Sequence, residues 1–205
     1  MDNVTKEVII DNFKQRNIKA EFYNTIEETN QRILELIPPK GSIGIGHSNT
    51  LEQLDVINQL SNRGNEVIDK TSAKSEEQIK EFKKESLTAD WYICGSNAVS
   101  MDGQIVNIDH SGNRVAALMY GPDNVILVIG VNKVVSTLDE AINRAKNIAA
   151  PNNAIRADYK PPCVYLKKCV DCTSSERICN YLTIIQGQKD KDRLKVLIVD
   201  EELGY

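Results

Sequence analysis

The chain is 205 residues long, 41% hydrophobic and 26% charged, which is enough apolar material for one sizeable core. Its net charge of −4 argues against nucleic acid or an anionic membrane surface as the main partner. The opening residues, Met1 to Glu7, have no basic stretch leading into an apolar one, and no run approaches the ~20 apolar residues that cross a bilayer, so the expectation is a cytoplasmic protein with no membrane span.

Taken in chain order, helix and strand signals alternate. Val4, Val8, Ile9 and Phe13 recur at helical spacing over residues 3–16, and Ala20 to Tyr23 reads as a short strand. Thr25-Ile26-Glu27-Glu28 is a capping-box pattern, opening a helix that turns Ile33, Leu34 and Ile37 inward and stops at Pro38-Pro39. Gly41 to Gly46 reads as a strand entering a glycine-rich turn. Ser48 or Asn49 caps the next helix, with Leu51, Leu54, Ile57 and Leu60 on one face. Val67-Ile68 is a weak strand, residues 75–87 form a polar amphipathic helix, and Trp91 to Cys94 is a buried strand. The Lys- and Glu-rich stretch from Lys74 to Glu85 reads most simply as a solvated helix face.

Residues 104–108 and 114–119 read as strands around a turn. Val125 to Val131 is apolar throughout, as a strand buried on both faces of a sheet requires. Residues 137–149 form a helix capped by Thr137 and closed before Pro151. Composition then breaks, and 151–180 reads as an irregular excursion, followed by a short run from Leu182 to Ile185 and a closing strand from Lys195 to Val199. The β–α alternation up to residue 150 predicts an α/β fold with a mostly parallel sheet and flanking helices. The expected organisation is one domain over 1–205 that contains the Cys-rich excursion.

Two polar loops are candidates for a binding site. In Gly44-Ile45-Gly46-His47-Ser48-Asn49-Thr50 a strand ends in glycines and opens a helix, an arrangement that exposes backbone N–H groups to a phosphate or carboxylate. Ser48, Asn49 and Thr50 add side-chain donors. No Gly-Lys-Ser/Thr follows, so it is not a P-loop, and an ordinary βα turn with a good N-cap explains it equally well. The second loop runs from Ser100 to Arg114. Asp102 and Asp109 are candidate bases, Arg114 a bidentate anion grip, and Gly103, Asn107 and Asn113 candidate ligand contacts. A solvated hairpin with turn-forming Asp, Gly and Asn is the plainer reading. Both histidines, His47 and His110, fall in these loops.

Four of the five cysteines, Cys163, Cys169, Cys172 and Cys179, lie within 17 residues. Disulfides are rare in a reducing cytoplasm, so thiols this close read as ligands of one metal centre. Four thiolates suit both structural zinc and an iron–sulfur cluster, and the spacing matches neither the ferredoxin run nor the zinc ribbon, so the metal stays undecided. A redox pair at Cys169 and Cys172, or four unmetallated thiols, are the alternatives. Cys94, inside an apolar run, reads as a small buried hydrophobe.

Together, GIGHSNTL, DGQIVNIDHSGNRVAAL, the buried strand running into VNKVV, the helix at 137–149 and the tail PPC…KCVDC…RIC resemble the LUD-domain family of lactate-utilisation proteins, over about residues 3 to 190. The resemblance implies an α/β fold like that of ribose-5-phosphate isomerase, glucosamine-phosphate deaminase and CoA transferases, with ligands bound where the glycine-rich turn meets the Asp-Gly block. It also implies a cytoplasmic role in oxidising lactate to pyruvate beside iron–sulfur partner subunits, of the accessory-subunit type. The chain lacks the paired ferredoxin motifs of the iron–sulfur member of that group. A small anionic ligand is the expected partner, and a homo-oligomer is compatible with the sequence. Two other functions remain in view. One is a stand-alone enzyme of the sugar-phosphate isomerase or acyl/CoA-transfer kind. The other is a non-enzymatic, metal-stabilised regulatory domain.

Overall fold

The computed structural model describes residues 1–205. Its centre is a six-stranded sheet of β1 (Lys19–Tyr23), β2 (Ser42–Gly46), β3 (Glu66–Ile68), β4 (Trp91–Gly95), β7 (Asn124–Gly130) and β10 (Leu194–Val199), in the order β1-β10-β7-β4-β2-β3. Every neighbouring pair is parallel. The fold is therefore α/β with a mostly parallel central sheet flanked by helices, as the alternation predicts.

Both faces of the sheet are covered, and the period of two explains why the central strands carry no polar face. Along β7, Val125, Leu127 and Ile129 join one core with Ile9 and Phe13 of α1 (Asn3–Gln15). Ile126 and Val128 point the other way. There they meet Ile33 of α2 (Ile26–Leu36), Leu51 and Leu54 of α3 (Asn49–Leu54), and Leu60 of α4 (Val56–Asn62). β10 alternates likewise, with Val196 and Ile198 on the first side and Leu197 and Val199 on the second. The closing strand lies between β1 and β7 rather than at an edge.

The capping box at the start of α2 forms with its return bond shifted by one residue, to the N–H of Asn24 rather than of the N-cap Thr25. Thr25 Oγ1 accepts from the Glu28 N–H, while the Glu28 carboxylate accepts from the N–H of Asn24. Ser48 caps α3, and the segment expected as one helix is two, because Asp55 adopts a left-handed φ of 54° between them. Val56 rather than Ile57 is then fully buried. α5 (Glu76–Glu85) lies where the polar amphipathic pattern predicts it.

A second sheet was not visible in the sequence. It has the order β8-β5-β6-β9, from β5 (Ala98–Ser100), β6 (Ile105–Asp109), β8 (Val134–Val135) and β9 (Tyr181–Ile185). β5 and β9 both pair antiparallel with β6.

Three expectations are corrected. Residues 114–119 are not a strand but most of helix α6 (Asn113–Met119), because Gly112, at a φ of 83°, turns the chain and Val115 and Leu118, three apart, bury one helical face. The helix at 137–149 does not close before Pro151. α7 (Leu138–Arg144) passes through a π-helical turn, Ala145–Ala149, directly into α8 (Ala150–Arg156). Pro151 has no N–H to give the carbonyl four residues back, and the widened turn absorbs that missing bond at the start of α8. The stretch 151–180 is accordingly not irregular throughout. It begins as α8 and contains the short α9 (Pro162–Leu166). No helix is long and apolar enough to cross a membrane.

Candidate functional site

All strands of the central sheet run the same way, so the loops that leave their C-terminal ends gather at one edge, where open parallel sheets bind ligands. A cleft of about 510 Å3 opens there. β2 delivers Gly46 and His47, β3 delivers Lys70, and β4 delivers Ser96 and Asn97. Lys133 follows β7, and Gly204 follows β10. β6 and α6 add Asp109, His110, Asn113 and Arg114, and α8 adds Arg156. Five cationic side chains line the cleft (Lys70, Lys83, Arg114, Lys133 and Arg156) against the carboxylates of Glu52 and Asp109. The whole chain is acidic, yet this cleft is basic.

Arg114 is not a free anion grip. Its Nη1 donates to Gly95 O at 2.9 Å and Asn107 Oδ1 at 2.6 Å, and its Nη2 to Ile108 O at 2.7 Å and Asn97 Oδ1 at 3.2 Å. Nε faces Asp109 Oδ2 at 3.4 Å. Four of its five N–H groups thus have hydrogen-bond acceptors and the fifth faces a carboxylate, and the side chain ties the end of β4 to β6. Asp109 is 8% exposed, and its other oxygen accepts from the Gly112 N–H at 2.8 Å. The pair braces the cleft wall.

Sequence reading missed Lys133, as it missed Lys70 and Arg156. Lys133 is 3% exposed, and its Nζ donates to Thr50 Oγ1 at 2.8 Å. Burial, reinforced by the guanidinium groups of Arg144 and Arg114, pulls its ammonium down to about 7, so it changes charge near neutrality. Burial and the Lys83 cation lower Lys70 as well. Burial and the Arg156 guanidinium likewise lower His47, which lies 3.1 Å from Glu52. Arg156 donates to Asn153 Oδ1 at 2.8 Å and lies 3.6 Å from Glu52, keeping part of its fork for the cleft. A signal for Lys133 did exist: it closes the turn after the most apolar strand. The solvated reading of Lys74 to Glu85 also needs correcting at Lys83, which reaches the cleft and Ser111.

The predicted site residues divide. Gly46, His47, Ser48, Asn49, Thr50, Asp109, Asn113 and Arg114 line the cleft, as do both histidines. Asn107 lies one layer behind, fully buried, accepting from Arg114 and Ser96. Asp102 and Gly103 are elsewhere. They turn the chain between β5 and β6 beside α1, where Asp102 O accepts from Arg16 Nε and a Cβ at Gly103 would press on the backbone of Asn12. Nor does Gly44 reach the cleft. A Cβ there would lie 2.8 Å from that of Ser86, so its lack of a side chain serves packing. Gly46 has the same constraint, since a Cβ would lie 2.4 Å from that of Cys94. Cys94 itself is fully buried, and burial pushes its thiol up to about 12.

Cys163, Cys169, Cys172 and Cys179 line a second, smaller cavity of about 210 Å3, walled by apolar side chains including Ile108, Pro161, Ile178 and Leu182. No three Cys, His, Asp or Glu side chains of the chain converge closely enough to ligate a single ion. Burial, then the neighbouring sulfurs of Cys172, Cys179 and Cys169, push the Cys163 thiol up. The excursion is pinned at few points. Asn147, on the π-helical turn, accepts from the Cys169 N–H at 2.7 Å. Arg177 donates to Cys172 O at 2.8 Å, to Cys179 O at 3.1 Å and to Cys179 Sγ at 3.5 Å. Its Nε is buried without a partner.

The profile of the LUD domain matches residues 6–199. Among solved structures, a DUF162 family protein from Deinococcus radiodurans is 16% identical and covers 96% of each chain with a TM-score of 0.55. Ribose 5 phosphate isomerase A from Neisseria gonorrhoeae is 21% identical and covers 55% of this chain and 54% of its own, with a TM-score of 0.35. No curated protein matches.

Proposed function

We propose, from the premise that this chain belongs to the LUD domain family, that it acts in lactate utilisation by binding a small carboxylate anion in the basic cleft, with the four clustered cysteines as ligands of a metal centre beside it. The observation that carries this is the charge of the cleft. Asp109 is already paired with Arg114 and Glu52 with His47 and Arg156, which leaves Lys70, Lys83 and Lys133 with no carboxylate partner inside a concave, partly desolvated space. Such a space attracts an anion, and a carboxylate or phosphate would take the donors that these ammonium groups hold out.

Titration calorimetry with lactate, pyruvate, inorganic phosphate, ribose 5-phosphate and coenzyme A tests the reading. Binding of lactate or pyruvate that weakens about tenfold in Arg156→Gln, a loss of ~1.4 kcal/mol, supports it. Tight binding of the phosphate esters alone moves the chain to an isomerase-like or acyl-transfer reading. Lys133 favours that second reading to this extent: a buried amine titrating near pH 7 is poised as a general base. No heat with any of the five sinks the cleft as a binding site and leaves the regulatory-domain reading.

A further inference from the structure

We propose that Lys133 is a nucleophile that captures the carbonyl group of a 2-oxo acid as a Schiff base. The assignment rests on the reading of the cleft as a site for a small carboxylate. It adds covalent chemistry at the carbon next to that carboxylate.

The surroundings of Nζ suit an amine better than an ammonium. Lys133 ends the short turn after β7, and its side chain lies in the cleft wall, almost fully buried. An ammonium has three N–H groups to satisfy, yet Nζ has one acceptor, Thr50 Oγ1. None of the ion pairs in the chain includes it. The charged groups that act on it are themselves cations, Arg144 of α7 and Arg114 of α6, and the titratable Cys94 thiol of β4 is buried nearby. A lysine desolvated beside other cations gives up its proton readily, and the lone pair it then holds can attack a carbonyl carbon. Its value of about 7 agrees with this environment. At neutral pH an ordinary lysine holds on the order of a thousandfold less free amine.

Gly204, in the segment after β10, leaves room for the reacting carbon. A Cβ at that position would lie 3.0 Å from Lys133 Nζ and 2.8 Å from Thr50 Oγ1. Without it, that side of the amine is unblocked. The φ of 60° at Gly204 also disfavours any residue with a side chain. Attack requires a carbonyl carbon within about 3–3.5 Å of the nitrogen. The next residue supplies a donor for the rest of the ligand. Tyr205 lines the cleft, and its Oη is buried without a hydrogen-bond partner. Burial raises its phenol, while the Arg156 guanidinium opposes the rise, so the two side chains are close. Tyr205 and Arg156 can hold a carboxylate while the adjoining carbonyl turns to Lys133.

The step balances without a further reactant. The Nζ lone pair forms the N–C bond as the carbonyl π pair moves to oxygen, which takes up a proton. The C–O bond then breaks, that oxygen leaves as water, and the C=N bond forms. Nothing is oxidised or reduced. Thr50 Oγ1, 2.8 Å from Nζ, is placed to carry a proton from the nitrogen towards the oxygen. A proton from solvent converts the imine to an iminium, which restores the positive charge lost when the amine formed. A 2-hydroxy acid such as lactate has no carbonyl and can only pair with the cations.

The test incubates the whole protein with pyruvate and sodium cyanoborohydride, then locates any reduced adduct by intact mass and peptide mapping. Lactate and ribose 5-phosphate form parallel arms. The expected result is one reduced pyruvyl group per chain, on Lys133, formed at least about tenfold faster than on any other lysine because of its excess of free amine. Its rate should rise with pH through 7, whereas the affinity for lactate falls over the same range. Lactate should leave no adduct, and Lys133→Arg, which keeps a charge but no nucleophilic amine, should take none from pyruvate. Adducts scattered over surface lysines, or no adduct, overturn the assignment, and mapping of the wild type decides this even where the variant fails to fold. An adduct from ribose 5-phosphate and not from pyruvate overturns the 2-oxo acid. Calorimetry separates the two failures. Pyruvate bound but never trapped overturns the Schiff base and leaves the cleft reading standing, whereas no heat with lactate or pyruvate strikes both.

Discussion

The basic cleft and the cysteine cavity are neighbours, yet they are built in opposite ways. The cleft is made from the ends of strands whose positions the parallel sheet has already fixed, and two arginines, Arg144 buried and Arg114 half-buried, bolt its loops together. Arg114 joins the end of β4 to β6, while Arg144 reaches Asn132 O at 3.1 Å and Asn97 O at 2.6 Å. The cysteine cavity hangs on a few bonds from Asn147 and Arg177 and on two residues in left-handed conformation, Lys167 at a φ of 56° and Asp171 at 47°. Lys167, Lys168, Val170 and Asp171 are all exposed. A site of the first kind is preorganised without its ligand. One of the second kind takes its rigidity from what it binds, as small metal-held segments do.

The contrast is sharpest at Arg114. Arg114→Met strands two carbonyls, two amide oxygens and the Asp109 carboxylate in a buried wall, and we expect about 3–5 kcal/mol of lost stability, read as a cooperative drop in the denaturation midpoint of the whole chain. A loss under about 1 kcal/mol would mean the cleft is no more rigid than the excursion. If the cysteines hold a metal as proposed, chelating it should act the other way: faster tryptic cleavage at Lys167 and Lys168, with the global midpoint nearly unmoved. Concerted unfolding on chelation would erase the distinction between the two regions.

Lys133 probes the cleft alone. Its folded value of about 7 lies below the ordinary 10.5, so the unfolded chain holds the proton between those values and the folded chain does not. Stability therefore rises with pH through that window, and the penalty for burying the charge is complete below pH 7. Lys133→Met should remove this dependence, giving its largest stability gain below pH 7 and none above 10.5. Anion affinity in the wild type should fall as pH rises through 7, by about tenfold if one charge is lost at a cost of ~1.4 kcal/mol. The variant should show a flat profile, and an unchanged slope there would mean that another group controls binding. The smallest effect belongs to the excursion. Asn147→Ala removes the bond from the Cys169 N–H, about 0.5–1.5 kcal/mol, along with two exposed bonds to Asn143, and should speed hydrogen exchange at Cys169 while leaving anion binding untouched.

The sequence by itself determined much of this protein. A strand such as Val125 to Gly130 must be buried on both faces because it offers no polar side, and the β–α rhythm around it implies a parallel sheet. The caps at Thr25, Ser48 and Thr137 were legible because capping is local chemistry. So was the grouping of the four cysteines, since a short tether keeps neighbours together. Only the tertiary structure decided the rest. Asp102 and Asp109, seven positions apart, separate because β6 carries them to opposite ends, whereas Lys70, Lys133 and Arg156, far apart in sequence, meet because parallel strands end at one edge. The helix at 113–119 defeated a reading by alternation because its short apolar face fits either period. The double role of Arg114 and the shifted charge of Lys133 depend on how many acceptors and how little water surround each one. That environment comes from elements remote in sequence, so the local pattern does not carry it.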